Sequence, residues 1–170
     1  MAKLPDDETL KRHYYVDGLS DKEIAAIYDC SVQAVNQRFG KMNPPIQRKP
    51  WMNTATAILD AAFPTTEHFK RSEYTHMHRA RSLFAFMRWR LGDPTLTARQ
   101  IGDAQRFARY ARDNGVILDF DPGRQENPWE WLPREDADGN LLLRWPAGLE
   151  MPKGPHLKAI TLPEAEPAST

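Results

Sequence analysis

The side chains best suited to chemistry in this sequence are recognition groups, and they cluster between Ser31 and Lys41. That stretch holds Ser31, Gln33, Asn36, Gln37, Arg38 and Lys41, with no carboxylate among them. A carboxamide both donates and accepts, so Asn or Gln can pair with N6 and N7 of adenine, while a guanidinium matches O6 and N7 of guanine. A serine opening a helix, beside unpaired backbone N–H groups, can hold a phosphate. Arg48 and Lys49 follow within a proline-rich stretch and are expected to trail along a phosphate backbone or into a minor groove. A second basic run, His76-Met-His-Arg-Ala-Arg81 and on to Arg88 and Arg90, has no acid between Glu73 and Asp93. Its His78, Arg79, Arg81 and Arg88 are candidate contacts of a second DNA module. They read equally well as a solvated helix edge.

Bond-making chemistry finds little support. His76 and His78 flank one residue, a spacing that converges on a metal only from a strand. Their surroundings read as helix or loop, and no carboxylate is placed to complete a metal-dependent nicking site. No phosphate-cradling glycine loop or nucleophile elbow occurs. Cys30 has no activating neighbour in the sequence and reads as a small buried turn residue. No catalytic residue, cofactor or metal is therefore expected.

The elements that must position the recognition residues are legible. Residues 7–17 read as a helix with Leu10 and Tyr14 one turn apart and Gly18 at its C-terminal end. Ser20-Asp-Lys-Glu23 is a capping-box pattern opening a second helix. Its apolar face is expected to be Ile24, Ile27 and Tyr28. Asp29-Cys30 breaks it sharply, and Ser31 caps a third helix, 32–41, whose inner face is expected to be Val32, Val35 and Phe39. Residues 20–41 thus have the parts of a helix-turn-helix: small Ala25 at the crossing, a tight turn, a capped second helix and an apolar lock. Such turns usually hold glycine, so Asp29 must adopt a left-handed conformation.

Beyond residue 43 the reading is coarser. Pro44, Pro45 and Pro50 imply that residues 43–53 are extended rather than helical. The expected organisation is a helix-turn-helix domain over 1–43, a basic linker over 44–53, a second domain over 54–145, and a mobile proline-rich tail over 146–170. The second domain should hold a short helix near 54–62, a helix-rich stretch over 65–91 and a helix over 98–113, the last capped by Thr97 and closed by Gly115. Val116–Phe120, Trp129–Pro133 and Leu141–Trp145 read as strands separated by turn chemistry. The expected fold class is mainly α (α+β): a helix-turn-helix domain, a linker, and a helical domain with a small three-stranded antiparallel sheet.

Composition fits a DNA partner. The formal net charge of zero hides an uneven distribution. Residues 61–112 carry 10 basic and 4 acidic side chains, residues 113–170 carry 5 and 11, and no acid stands between Asp29 and Asp60. Local basic stretches in a neutral chain suit a polyanion with limited non-specific affinity. There is no apolar run long enough for a membrane span and no signal-peptide pattern. One cysteine in 170 residues fits a reducing cytoplasm. The expected partner is double-stranded DNA, read by a monomer, because no self-complementary apolar surface or heptad seam is visible.

With these residues in view, the sequence resembles the immunity repressors of cluster A mycobacteriophages and related actinobacterial phages. The resemblance rests on Asp21-Lys-Glu-Ile-Ala-Ala-Ile-Tyr-Asp-Cys-Ser-Val-Gln-Ala-Val-Asn36, His78-Arg-Ala-Arg81, Met87-Arg88, Asn114-Gly-Val-Ile-Leu-Asp-Phe-Asp-Pro122 and Leu132-Pro-Arg134. It implies a repressor that silences a prophage and confers superinfection immunity by binding asymmetric sites. Asp29 departs from the usual turn glycine. The competing reading is a phage DNA-packaging component of small-terminase type, which would need a long oligomerising helix.

Overall fold

In the computed structural model, which describes residues 3–63 and 68–165, the chain forms two compact units. The first ends at Pro50 and also takes in Asp93–Thr95; the second runs from Trp51 to Gly92 and resumes at Leu96.

The first unit is built on α1 (Asp7–Tyr15), α2 (Asp21–Ile27) and α3 (Val32–Lys41). Each opens on a side-chain cap: Asp6 accepts from the backbone N–H of Thr9, Ser20 from Glu23 and Ser31 from Ala34. The capping box is complete, because the Glu23 carboxylate reaches back to the Ser20 backbone N–H at 2.7 Å. Leu10, Ile24, Ala25, Val35, Phe39, Met42 and Ile46 form the core. Two expected inner residues are not in it. Ile27 is 56% and Val32 42% exposed, because each sits at a helix terminus where the apolar stripe runs off the contact.

The expected linker requires correction. Residues 43–49 are not a spacer: Ile46 is buried with the first unit's core, and its N–H donates to the Phe39 carbonyl at 3.3 Å. Nor is the whole of 43–53 non-helical. Pro50 begins α4 (Pro50–Ala62), since proline at the first helical position lacks only an N–H that would have no intrahelical partner there, and its φ is already helical.

The second unit continues with α5 (Arg71–Tyr74), α6 (His78–Arg90) and α7 (Ala98–Asp113). The helix-rich stretch expected over 65–91 holds α5 and α6, and its residues 65–67 lie outside the described residues. Thr97 and Gln100 form the cap box of α7. Ala104, Ala108 and Ala111 put a small, buried stripe on α7, with Phe107 beside it and Leu83, Phe86 and Met87 of α6 in the same core. An aromatic group of Phe63, Phe120 and Trp129 has ring centroids 4.7–4.9 Å apart. The buried Trp129 Nε1 donates to the Tyr74 carbonyl at 3.0 Å, so its polar edge is satisfied.

The three-stranded sheet is contradicted. β1 (Val116–Phe120) and β2 (Trp129–Pro133) form a two-stranded antiparallel sheet, with Leu118 opposite Trp131. The 141–145 segment runs beside β1 in the parallel sense, through a single bridge between Leu118 and Leu143. The mainly helical class stands. The cause lies in residues 134–140, whose composition suggests hairpin chemistry. The Asp138 carboxylate instead accepts from the Glu135 N–H at 2.8 Å and from Arg144 at 2.9 and 2.7 Å. That turn is a short 3₁₀ helix, Asp136–Asp138, which carries the chain to the other side of β1. The tail is also corrected over its described part. Pro155 starts α8 (Pro155–Ala159), and Ala159 and Ile160 are buried in the core. The Arg90 guanidinium holds this segment by donating to the Thr161 carbonyl at 2.8 Å.

Candidate nucleic-acid interface

The α2–α3 turn has the geometry a helix-turn-helix needs. Asp29 adopts φ 46°, the left-handed conformation expected of it. The Cys30 N–H donates back to the Ala25 carbonyl at 3.0 Å, closing α2, and the Ser31 hydroxyl accepts from the Ala34 N–H at 3.1 Å, opening α3.

The surface of α3 follows from about 100° of rotation per residue. Val35 and Phe39 point inward and are buried. Gln33, Gln37 and Lys41 lie opposite them and are exposed. Gly40 shares this outer side: it is exposed, and a Cβ placed on it would meet no atom within 4 Å. Asn36 and Arg38 occupy the two flanks. Arg38 is tied to α1, its Nε donating to the Asp7 carboxylate at 2.8 Å. Asn36 donates from Nδ2 to the Val32 carbonyl at 3.2 Å.

Arg48 is not placed as a trailing arm. Its Nη1 donates to Asp21 Oδ1 at 2.6 Å and its Nη2 to Asn36 Oδ1 at 2.5 Å. Its guanidinium carbon lies 5.0 Å from the Phe39 ring centroid and 5.5 Å from that of Tyr14. The Asp21 hydrogen bond, opposed by partial burial, holds the guanidinium pKa above its ordinary value, so Arg48 stays charged. Lys49 follows at φ 46°, with its backbone N–H on the Tyr14 hydroxyl at 2.9 Å and its side chain exposed. Sequence reasoning missed Tyr14 and Asp21 as the groups that hold Arg48. Contacts 27 and 34 residues apart leave no periodic signal.

The second basic run is divided by α6. Arg81 and Arg88, two turns apart, line one groove of about 590 Å³ with Arg71, His76 and Gln100. His78 and Arg79 face another, of about 310 Å³, with Arg106, Tyr110 and Trp131. The two histidines thus diverge, and among the described residues no three potential metal ligands come together. Arg79 is half-buried and donates to the Trp129 carbonyl at 2.6 Å. Arg88 stacks over Phe84 at 5.8 Å, and Arg81 is exposed. His76, Arg81 and Arg88 belong to the basic run seen in the sequence, whereas Arg71 and Gln100, outside that run, join the groove only through tertiary folding.

No protein-family model matches the chain, and no curated protein sequence matches it. No helix among the described residues is long and apolar enough to cross a membrane.

Proposed function

We propose that this protein is a sequence-specific DNA-binding transcriptional repressor that maintains phage lysogeny and superinfection immunity in the cytoplasm of a bacterial host. The observation that carries the reading is the outer surface of α3. It stands on a capped, apolar-locked motif and offers Gln33, Gln37 and Lys41, with Asn36 on its flank and no acid in the helix. Such a helix fits the major groove, where each paired amide contact contributes about 1–3 kcal/mol of discrimination. Arg81 and Arg88 in the second unit supply a phosphate-binding module, so that one chain reads one asymmetric site by tethering rather than by dimerising.

Selection of bound duplexes from random DNA, followed by footprinting and light scattering of the complex, tests this. The expected result is one asymmetric consensus, bound by one chain. Enrichment of no sequence would overturn the repressor reading. A palindrome occupied by two chains would overturn the stoichiometry and return the α6 arginines to a solvated face.

A further inference from the structure

We propose that Arg48 is a specificity-determining positioning residue, which fixes the Asn36 carboxamide in the single orientation used to read a base. The inference rests on the proposed DNA-reading role of α3. Arg48 lies outside that helix, yet three helices hold its guanidinium: Asp21 of α2 by a 2.6 Å hydrogen bond, Asn36 of α3 by its amide oxygen, and the rings of Tyr14 in α1 and Phe39 in α3 beside it. The backbone on either side is fixed too. The Gln47 N–H donates to the Tyr15 hydroxyl at 2.8 Å and the Lys49 N–H to the Tyr14 hydroxyl at 2.9 Å. Residues 46–49 therefore form a strap that delivers a cation to the edge of the recognition helix.

The consequence concerns the amide. A carboxamide that can flip presents donor and acceptor in either order and reads adenine only half of the time. Adenine needs the oxygen on N6–H and the nitrogen on N7. In this protein Oδ1 faces Arg48 and one Nδ2 hydrogen faces the Val32 carbonyl. A guanidinium cannot accept a hydrogen bond, so the flipped amide would set two donors against each other. One oxygen lone pair and one N–H remain, in a fixed sense, for a base edge. The same arrangement keeps the Arg48 charge, 45% exposed at the side chain, beside the base that Asn36 reads.

Arg48→Lys is the test, because it keeps the charge but cannot bridge Asp21 and Asn36 as a planar fork. Full-length variants are titrated with the selected duplex and with duplexes changed at each base pair in turn. Arg48→Lys is expected to lose discrimination at the position where Asn36→Ala loses it, by about twofold or more but by less than the roughly 5- to 150-fold of the whole paired contact. Affinity for random duplex should stay within about twofold. The double variant should discriminate no worse than Asn36→Ala alone. The Asn36 side-chain amide resonances in free protein should shift in Arg48→Lys. Additive losses, or unchanged discrimination in Arg48→Lys, would overturn the positioning role while leaving the DNA-reading role intact. If Asn36→Ala itself changes no base preference, the reading of Asn36 fails first. Circular dichroism of each variant separates these outcomes from unfolding, and an Arg48→Lys chain that does not fold is replaced by Asp21→Asn, which loosens the same guanidinium.

Discussion

Gly40→Ala should make the protein more stable and a poorer DNA binder. Gly40 lies in the last turn of α3, at a helical position without positive φ, and nothing stands within 4 Å of the Cβ that alanine would add. The substitution therefore creates no clash and gains no packing. What remains is helix propensity, which favours alanine by up to about 1 kcal/mol in a helix interior and less near an end. A gain of about 0.5–1 kcal/mol raises Tm by roughly 2–8 °C in a unit this small. On the DNA side the sign reverses. Gly40 shares the outer surface with Gln37 and Lys41, and its bare backbone lets the helix seat closely. A methyl group at a packed contact costs about 1–3 kcal/mol where the partner cannot yield. Stability is read by far-UV circular dichroism. All five tryptophans lie from Trp51 onward, so their fluorescence follows the second unit and should not move. Binding is read by anisotropy with the selected duplex. A stabilised variant with unchanged affinity would refute the assignment of this surface to DNA; a destabilised one would show that the fold itself requires glycine.

Three further outcomes are expected. Gln37→Ala should reduce cognate binding by about 1–3 kcal/mol and random binding little; equal losses in a competition assay would make Gln37 a phosphate-binding or a structural residue. Arg81→Gln with Arg88→Gln should lower the slope of log K against log salt by about 0.9 for each phosphate that the protein no longer neutralises, and an unchanged slope would remove the groove from the interface. Asp138→Ala should cost about 2–3 kcal/mol, because it takes from Arg144, itself a quarter exposed, the carboxylate paired with it at 2.7 Å and leaves only Glu135 at 3.9 Å. Arg144 holds the Asp138 pKa below its ordinary 3.8, so the stabilisation is full above that value and lost as the pH falls through the lower folded value. Urea denaturation followed by tryptophan fluorescence should show the gap between wild type and variant closing only below about pH 4; a gap independent of pH would dissociate the carboxylate from the effect.

Sequence alone determined the local parts of the protein. The Ser20–Glu23 box, the Ser31 and Thr97 caps, the left-handed Asp29 and the strands 116–120 and 129–133 were legible because each depends on residues within four positions or on a simple period. The outer side of α3 was legible for the same reason, since helical geometry assigns Gln33 and Gln37 to the side opposite Val35 and Phe39. Tertiary structure decided whatever depends on distant partners. Pro50 reads as a breaker until the helix that it begins is seen. Residues 46–49 read as a linker because the tyrosine hydroxyls that fasten them lie more than thirty positions earlier. Asp138 reads as a hairpin residue, but its ion pair with Arg144 turns the chain past β1 and leaves a two-stranded sheet. Residues 146–165 read as a tail because proline content outweighed Ala159 and Ile160, whose burial depends on a core assembled from four helices. Arg48 was visible as a cation. Only the fold could show that its charge is held against Asn36, because a hydrogen bond between an exposed arginine and an amide twelve residues away leaves no mark in composition or period.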